Sequence, residues 1–150
     1  MSGPTLVVGE LHDGALSDAT KEAIGVAAGL SSKENVLGFL AGSSPRTAAT
    51  GFGRFGVTRV VVAEDPRLDG AVTSAIAHLV ALAAEASGAD LVLVGGSTFG
   101  RELVARLSIR WNAAVATGVT QVAHANGALE VWRPVFGGRA TETRHLEGVH

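Results

Sequence analysis

Short unbroken apolar runs, rich in Val and Leu, recur along the chain, and between them the apolar positions fall three or four residues apart. Runs of the first kind suit strands buried on both faces, and the wider spacing suits amphipathic helices. Residues 5–10 read as a first strand, followed by the loop Leu11-His12-Asp13-Gly14 and by Ser17 as N-cap of a helix over Asp18–Leu30. Ala23, Ile24 and Ala27 form its inward stripe, and Gly29 weakens its last turn. Residues 36–41 are a second strand, after which Ser44-Pro45 caps a short helix stopped by Gly51, Gly53 and Gly56. Residues 59–63 are a third strand, followed by the turn Glu64-Asp65-Pro66 and a cap at Asp69. A long helix over 71–87 then carries Val72, Ile76, Leu79, Val80 and Ala83 on one face and ends at Gly88, where a left-handed residue belongs. Leu91–Val94 is the fourth strand, and a helix from Phe99 or Gly100 to about Trp111 turns Leu103, Val104, Leu107 and Trp111 inward.

Four βα units in succession need crossover connections, which are right-handed in nearly all known cases and place helices on both sheet faces. The expected fold is therefore α/β, a doubly wound, mostly parallel sheet. The rhythm then changes: residues 115–122, 129–135 and 139–144 read as antiparallel C-terminal strands, turning at Asn126-Gly127 and Gly137-Gly138. No repeat of fixed period, linker or low-complexity stretch interrupts the chain.

The length of 150 residues fits one core, so residues 1–150 are expected to form a single α/β domain. The 20 glycines and 47% hydrophobic content suit closely packed layers with tight connections. A net charge of −2, with the ten Arg and two Lys scattered, lacks the basic footprint of a nucleic-acid binder. Zero cysteines exclude disulfides, cysteine-ligated metals and a thiolate nucleophile, and they fit a reducing compartment, so cytoplasm is the default expectation. The first residues lack the pattern of a secretory or import signal, and no apolar run approaches the ~20 residues of a membrane span. No membrane insertion is expected.

The most informative stretch is Gly95-Gly96-Ser97-Thr98-Phe99-Gly100-Arg101, read as the turn from the carboxyl end of a central strand into a helix. Ligands of open α/β sheets bind at such ends. Gly96, Ser97, Thr98, Gly100 and Arg101 are therefore a candidate anion site, with glycines admitting close approach, N–H groups at the helix start and a fixed charge on Arg101. No named motif fits. A phosphate loop would need Lys in place of Arg101 and Ser or Thr in place of Glu102; the dinucleotide G-x-G-x-x-G has no match; Phe99 breaks the serine-hydrolase elbow.

His12, His78, His124, His145 and His150 lack the spacing of a metal site, and His78 is expected beside the packed stripe of its helix. His12 and Asp13 read most simply as a solvated loop. Glu10, Glu64 and Asp65 all fall at carboxyl ends of strands, where acid–base pairs are built, but no nucleophile or base-orienting partner accompanies them. No catalytic residue and no metal ligand is assigned.

Several pieces stand in an order that resembles the amino-terminal domain of the electron-transfer flavoprotein α subunit. They are Leu6-Val7-Val8-Gly9-Glu10 with Asp13-Gly14-Ala15-Leu16, Val60-Val61-Val62-Ala63 with Glu64-Asp65, and Ser97-Thr98-Phe99-Gly100-Arg101-Glu102-Leu103 with Ala105-Arg106-Leu107. Thr117-Gly118-Val119-Thr120-Gln121-Val122 and Arg133-Pro134-Val135-Phe136-Gly137-Gly138-Arg139-Ala140-Thr141 complete the series. The resemblance implies an adenine-nucleotide-hydrolase-like α/β domain that pairs with a β subunit and carries electrons from dehydrogenases toward a quinone-reducing partner, rather than an enzyme. It also implies that FAD belongs to a second domain beyond the segment at His145-Leu146-Glu147-Gly148-Val149-His150, so that this chain alone lacks the FAD domain and does not retain the cofactor. Two other readings compete: a free-standing nucleotide-binding module similar to universal stress proteins, whose usual glycine spacing cannot be laid on this chain, and a small hydrolase, which lacks a nucleophile–base pair.

Overall fold

A computed structural model describes residues 3–146. Strand β1 (Thr5–Val8) leads through a small hairpin, β2 (Leu11–His12) and β3 (Ala15–Leu16), into helix α1 (Asp18–Leu30). Next come β4 (Val36–Gly42), α2 (Pro45–Gly53), β5 (Arg59–Glu64), α3 (Thr73–Ser87), β6 (Leu91–Val94) and α4 (Thr98–Trp111). Strands β7 (Gln121–Ala125), β8 (Ala128–Val135) and β9 (Ala140–Leu146) complete the described chain.

The first sheet has the order β5-β4-β1-β6, all neighbours parallel. Its central strands are buried on both faces, because alternate side chains feed two separate cores. Leu6, Val8, Leu37 and Phe39 pack against Ile76, Val80, Leu103 and Leu107 of α3 and α4. Val7, Val36 and Leu40 point the other way, into Ile24, Ala27, Ala48 and Phe52 of α1 and α2. This is the doubly wound architecture expected from the βα rhythm. Gly38 shows how closely the second layer sits, since a Cβ there would come 2.8 Å from the Phe52 ring.

The last three strands form their own antiparallel sheet in the order β7-β8-β9, hydrogen-bonded apart from the parallel one. Asn126 (φ 52°) and Gly127 (φ 83°) make the two-residue hairpin turn that Asn-Gly predicts.

Several local expectations are corrected. Asp69 does not cap α3; its Oδ1 accepts the Ser43 N–H at 2.8 Å, tying the end of β4 to the loop before the helix. The helix starts instead at Thr73, so Val72 lies outside its packed face and is 70% exposed. Ser44 makes no side-chain cap bond, and Pro45 alone marks the start of α2. Helix α4 begins at Thr98, capped by Ser97. Of the expected strand 115–122, only Gln121 and Val122 lie in a ladder strand, β7, which runs on to Ala125, and just before it the Thr120 N–H donates to the Trp132 carbonyl at 2.8 Å. Finally, β6 is a border strand of the parallel sheet among the described residues, not a central one, and all four of its residues are half-buried.

Candidate functional site

Topology fixes where a ligand would sit. From β1 the chain builds outward through β4 to β5, then returns to place β6 on the other flank of β1, so the order reverses between β1 and β6. The crevice outside the carboxyl ends of these two strands is the expected ligand position in such a sheet. Two loops meet there: Gly9–Glu10 leads to the β2–β3 hairpin, and Gly95-Gly96-Ser97 leads to α4.

The floor of this crevice is held by short polar links. Thr20, on the first turn of α1, is fully buried. Its Oγ1 accepts the Glu10 N–H at 2.9 Å and lies 2.9 Å from the Ser17 hydroxyl, which itself accepts the Thr20 N–H at 3.2 Å. On the other side, Gly95 is buried against α1: a Cβ there would lie 2.8 Å from Ala19 Cβ. A Cβ on Gly100 would lie 2.0 Å from the Gly95 carbonyl oxygen. These two glycines therefore serve close packing of helices against the strand end, whereas Gly96 is exposed with nothing within 4 Å of such a Cβ.

The residues of the candidate anion site are brought together, with much of their bonding capacity turned inward. Ser97 Oγ accepts the Gly100 N–H at 2.9 Å as the helix cap. Arg101 folds back, donating to the Gly96 carbonyl and to Thr98 Oγ1, each at 3.2 Å. Glu102 points away along α4: hydrogen bonds from Arg106 and then from Thr73 hold its carboxyl below the usual range, and its Oε1 sits 2.8 Å from Arg106 Nη2. The N–H groups of Thr98 and Phe99 lie in the first turn of α4, where a helix has no intrahelical acceptor for them.

The strand-end carboxylates do not form an acid–base pair. Glu64 is bonded to Arg46, and Asp65 to Arg67 at 2.6 Å. Side-chain and backbone hydrogen bonds from Arg67 lower the Asp65 pKa from 3.8 to about 2. Glu64 ends β5 and Asp65 follows it, and β4 separates that strand from β1 and Glu10. Among the histidines, His12 is exposed on the β2–β3 hairpin beside Asp13 (φ 49°), and His124 is exposed on β7. His78 lies on the solvent side of α3 with Nδ1 3.4 Å from Arg110 Nη1, and His145 faces Glu130 at 3.5 Å. His150 lies outside the described residues.

One feature had no signal in the sequence. Along β6 runs an apolar groove of about 470 Å³, bounded on one side by Leu91, Leu93, Val104 and Trp111 and on the other by Val119, Leu129, Val131 and Leu146. It exists because β6 is paired on one flank only, a consequence of strand order that no local pattern encodes.

A family model for the electron transfer flavoprotein domain matches residues 5–148. The chain is 28% identical over 142 residues to the electron transfer flavoprotein subunit alpha of Bacillus subtilis strain 168, covering 95% of this chain and 44% of that protein. It thus spans less than half the length of this relative. With the doubly wound sheet and the ordered sequence pieces already described, the match over residues 5–148 places this chain in the electron transfer flavoprotein domain family.

Proposed function

We propose that this chain is the amino-terminal scaffold and subunit-interaction domain of an electron-transfer flavoprotein α-type subunit. In this reading it docks a β-type subunit, and the assembled protein carries electrons from dehydrogenases toward a quinone-reducing partner without chemistry performed by this domain. The observation that carries the reading is the similarity to an α subunit along 95% of the chain. The arrangement at the strand ends supports it, because the polar groups there are engaged in holding the fold.

The described residues do not fit FAD held by this chain alone. An isoalloxazine needs an enclosing pocket with placed polar partners, and the groove along β6 is lined mainly by aliphatic side chains. The groups best suited to its diphosphate, Ser97 Oγ and the Arg101 guanidinium, already bond within the turn. FAD therefore belongs to other parts of the assembly in this account. At Gly96, Ser97, Thr98, Gly100 and Arg101 the proposed role is a weak anion contact, supplied by the Thr98 and Phe99 N–H groups and the positive end of α4.

Sedimentation of this chain mixed with an electron-transfer flavoprotein β-type subunit from the same source tests the reading. A stable one-to-one complex is expected, and two separately sedimenting species would refute it. A nucleotide-binding module is the second reading, and the order reversal between β1 and β6 favours it. Tight AMP or ATP binding by the isolated chain would select that reading instead.

A further inference from the structure

The turn joining β8 to β9 presents an aromatic side chain in a way that burdens the isolated domain twice. Phe136 is 82% exposed, and its backbone is left-handed at φ 51°. A bulky residue rarely adopts that conformation, and an exposed ring gains no burial in return. Gly137 (φ 66°) and Gly138 (φ 81°) follow it in the same region of backbone space, where glycine is the undemanding choice. Folding alone does not explain a phenylalanine at the first of these positions.

The tip is also held firmly. Val135 pairs with Ala140 and Pro134 with Thr141, and the Gly138 N–H donates to the Val135 carbonyl at 3.1 Å. Just below, Glu142 is gripped from two sides, by Arg133 and by Arg144 at 2.8 Å. Arg139, exposed in the same turn, has no ion-pair partner among the described residues. Two arginines on one carboxylate, with Arg139 outside any ion pair among the described residues, leave this end of the hairpin positive.

We propose that Phe136 with Arg139 is an anchor by which this domain grips its protein partner, the ring entering an apolar pocket whose rim carries carboxylates. Resting on the reading above, the partner is the β-type subunit. A small aromatic ligand is the weaker candidate, because ligands are bound in concavities and this ring stands on a projecting turn. A projecting ring needs its concavity from another chain. Aromatic residues and arginine are the types most enriched where protein interfaces concentrate their binding energy.

The test measures the affinity of the full chain for the β-type subunit, with thermal unfolding of each variant alone as a second readout. Phe136→Gly is expected to weaken the complex at least tenfold while leaving the unfolding midpoint unchanged or higher, since glycine accepts the left-handed backbone. Arg139→Glu is expected to weaken it by a similar factor and to reduce its sensitivity to salt. Phe136→Gly binding as tightly as wild type would overturn the anchor and leave the functional reading standing. A Phe136→Gly domain that loses affinity only because it unfolds would also overturn it. Loss of AMP or FAD binding in that variant, with the protein complex intact, would assign the ring to a small ligand instead. No complex with wild type would refute the functional reading and the anchor together.

Discussion

Gly100 stands against the carbonyl of Gly95 so closely that a Cβ would lie 2.0 Å from that oxygen. The glycines of this turn therefore divide by purpose. Gly95 and Gly100 let α1 and α4 close on the end of β6, and Gly96 is open to solvent. Gly100→Ala is expected to destabilise the fold by about 3 kcal/mol, the upper range for forcing a methyl into a packed site. Gly96→Ala should change stability by no more than about 0.5 kcal/mol, as for other surface sites. Denaturant unfolding of the two variants checks this, and equal effects would contradict the division. Calorimetric titration with sulfate and AMP completes the test of the turn: weak binding that persists in Arg101→Ala is expected, since that guanidinium is bonded to Gly96 and Thr98, with no phosphate released from ATP.

Thr20 joins α1 to the loop after β1 from a fully buried position. Thr20→Val keeps the shape but removes the oxygen that accepts the Glu10 N–H. Stability should fall by about 1–3 kcal/mol, the range for leaving a poorly hydrated donor unmet. Thr20→Ser keeps that acceptor and should fall less. The two midpoints in urea distinguish a hydrogen-bond effect from a packing effect.

Asp65 is expected to titrate at about 2 in the folded chain, against an ordinary 3.8, because Arg67 donates both side-chain and backbone hydrogen bonds to it. A carboxylate lowered in this way favours the folded state above its unfolded pKa. That contribution declines as pH falls through the interval from 3.8 toward about 2. Arg67→Ala removes the side-chain part and should move the Asp65 carboxyl resonance midpoint upward in an NMR titration. An unchanged midpoint would show that the pair does not persist in solution.

Much of the fold was legible because each βα unit advertises itself locally. Ile24 and Ala27 fall on one face of α1, Gly88 ends α3 with φ 66°, and Asn126-Gly127 makes its hairpin turn. What escaped depends on partners distant in sequence. Asp69 looked like a helix cap, yet its best donor is the Ser43 N–H, 26 residues away. The β2–β3 hairpin pairs only Leu11 with Leu16 and His12 with Ala15, too short for any periodicity to show. Residues 115–119 carry the apolar character of a strand but pair in no ladder among the described residues. The position of β6 on the border of its sheet follows from the crossover order, and the groove along it follows from that border. In the same way Gly96, Ser97, Thr98, Gly100 and Arg101 were legible as a strand-to-helix turn, while the inward bonding of Ser97 and Arg101 was not, since it depends on side-chain conformation.

The proposed role is that this domain shapes and joins an electron-carrying assembly without itself holding the flavin. Its most direct measurement is the visible absorbance of the purified chain after incubation with excess FAD and gel filtration. A colourless protein peak is expected, with all flavin eluting as the free cofactor. Flavin absorption co-eluting with the chain in stoichiometric amount would contradict it.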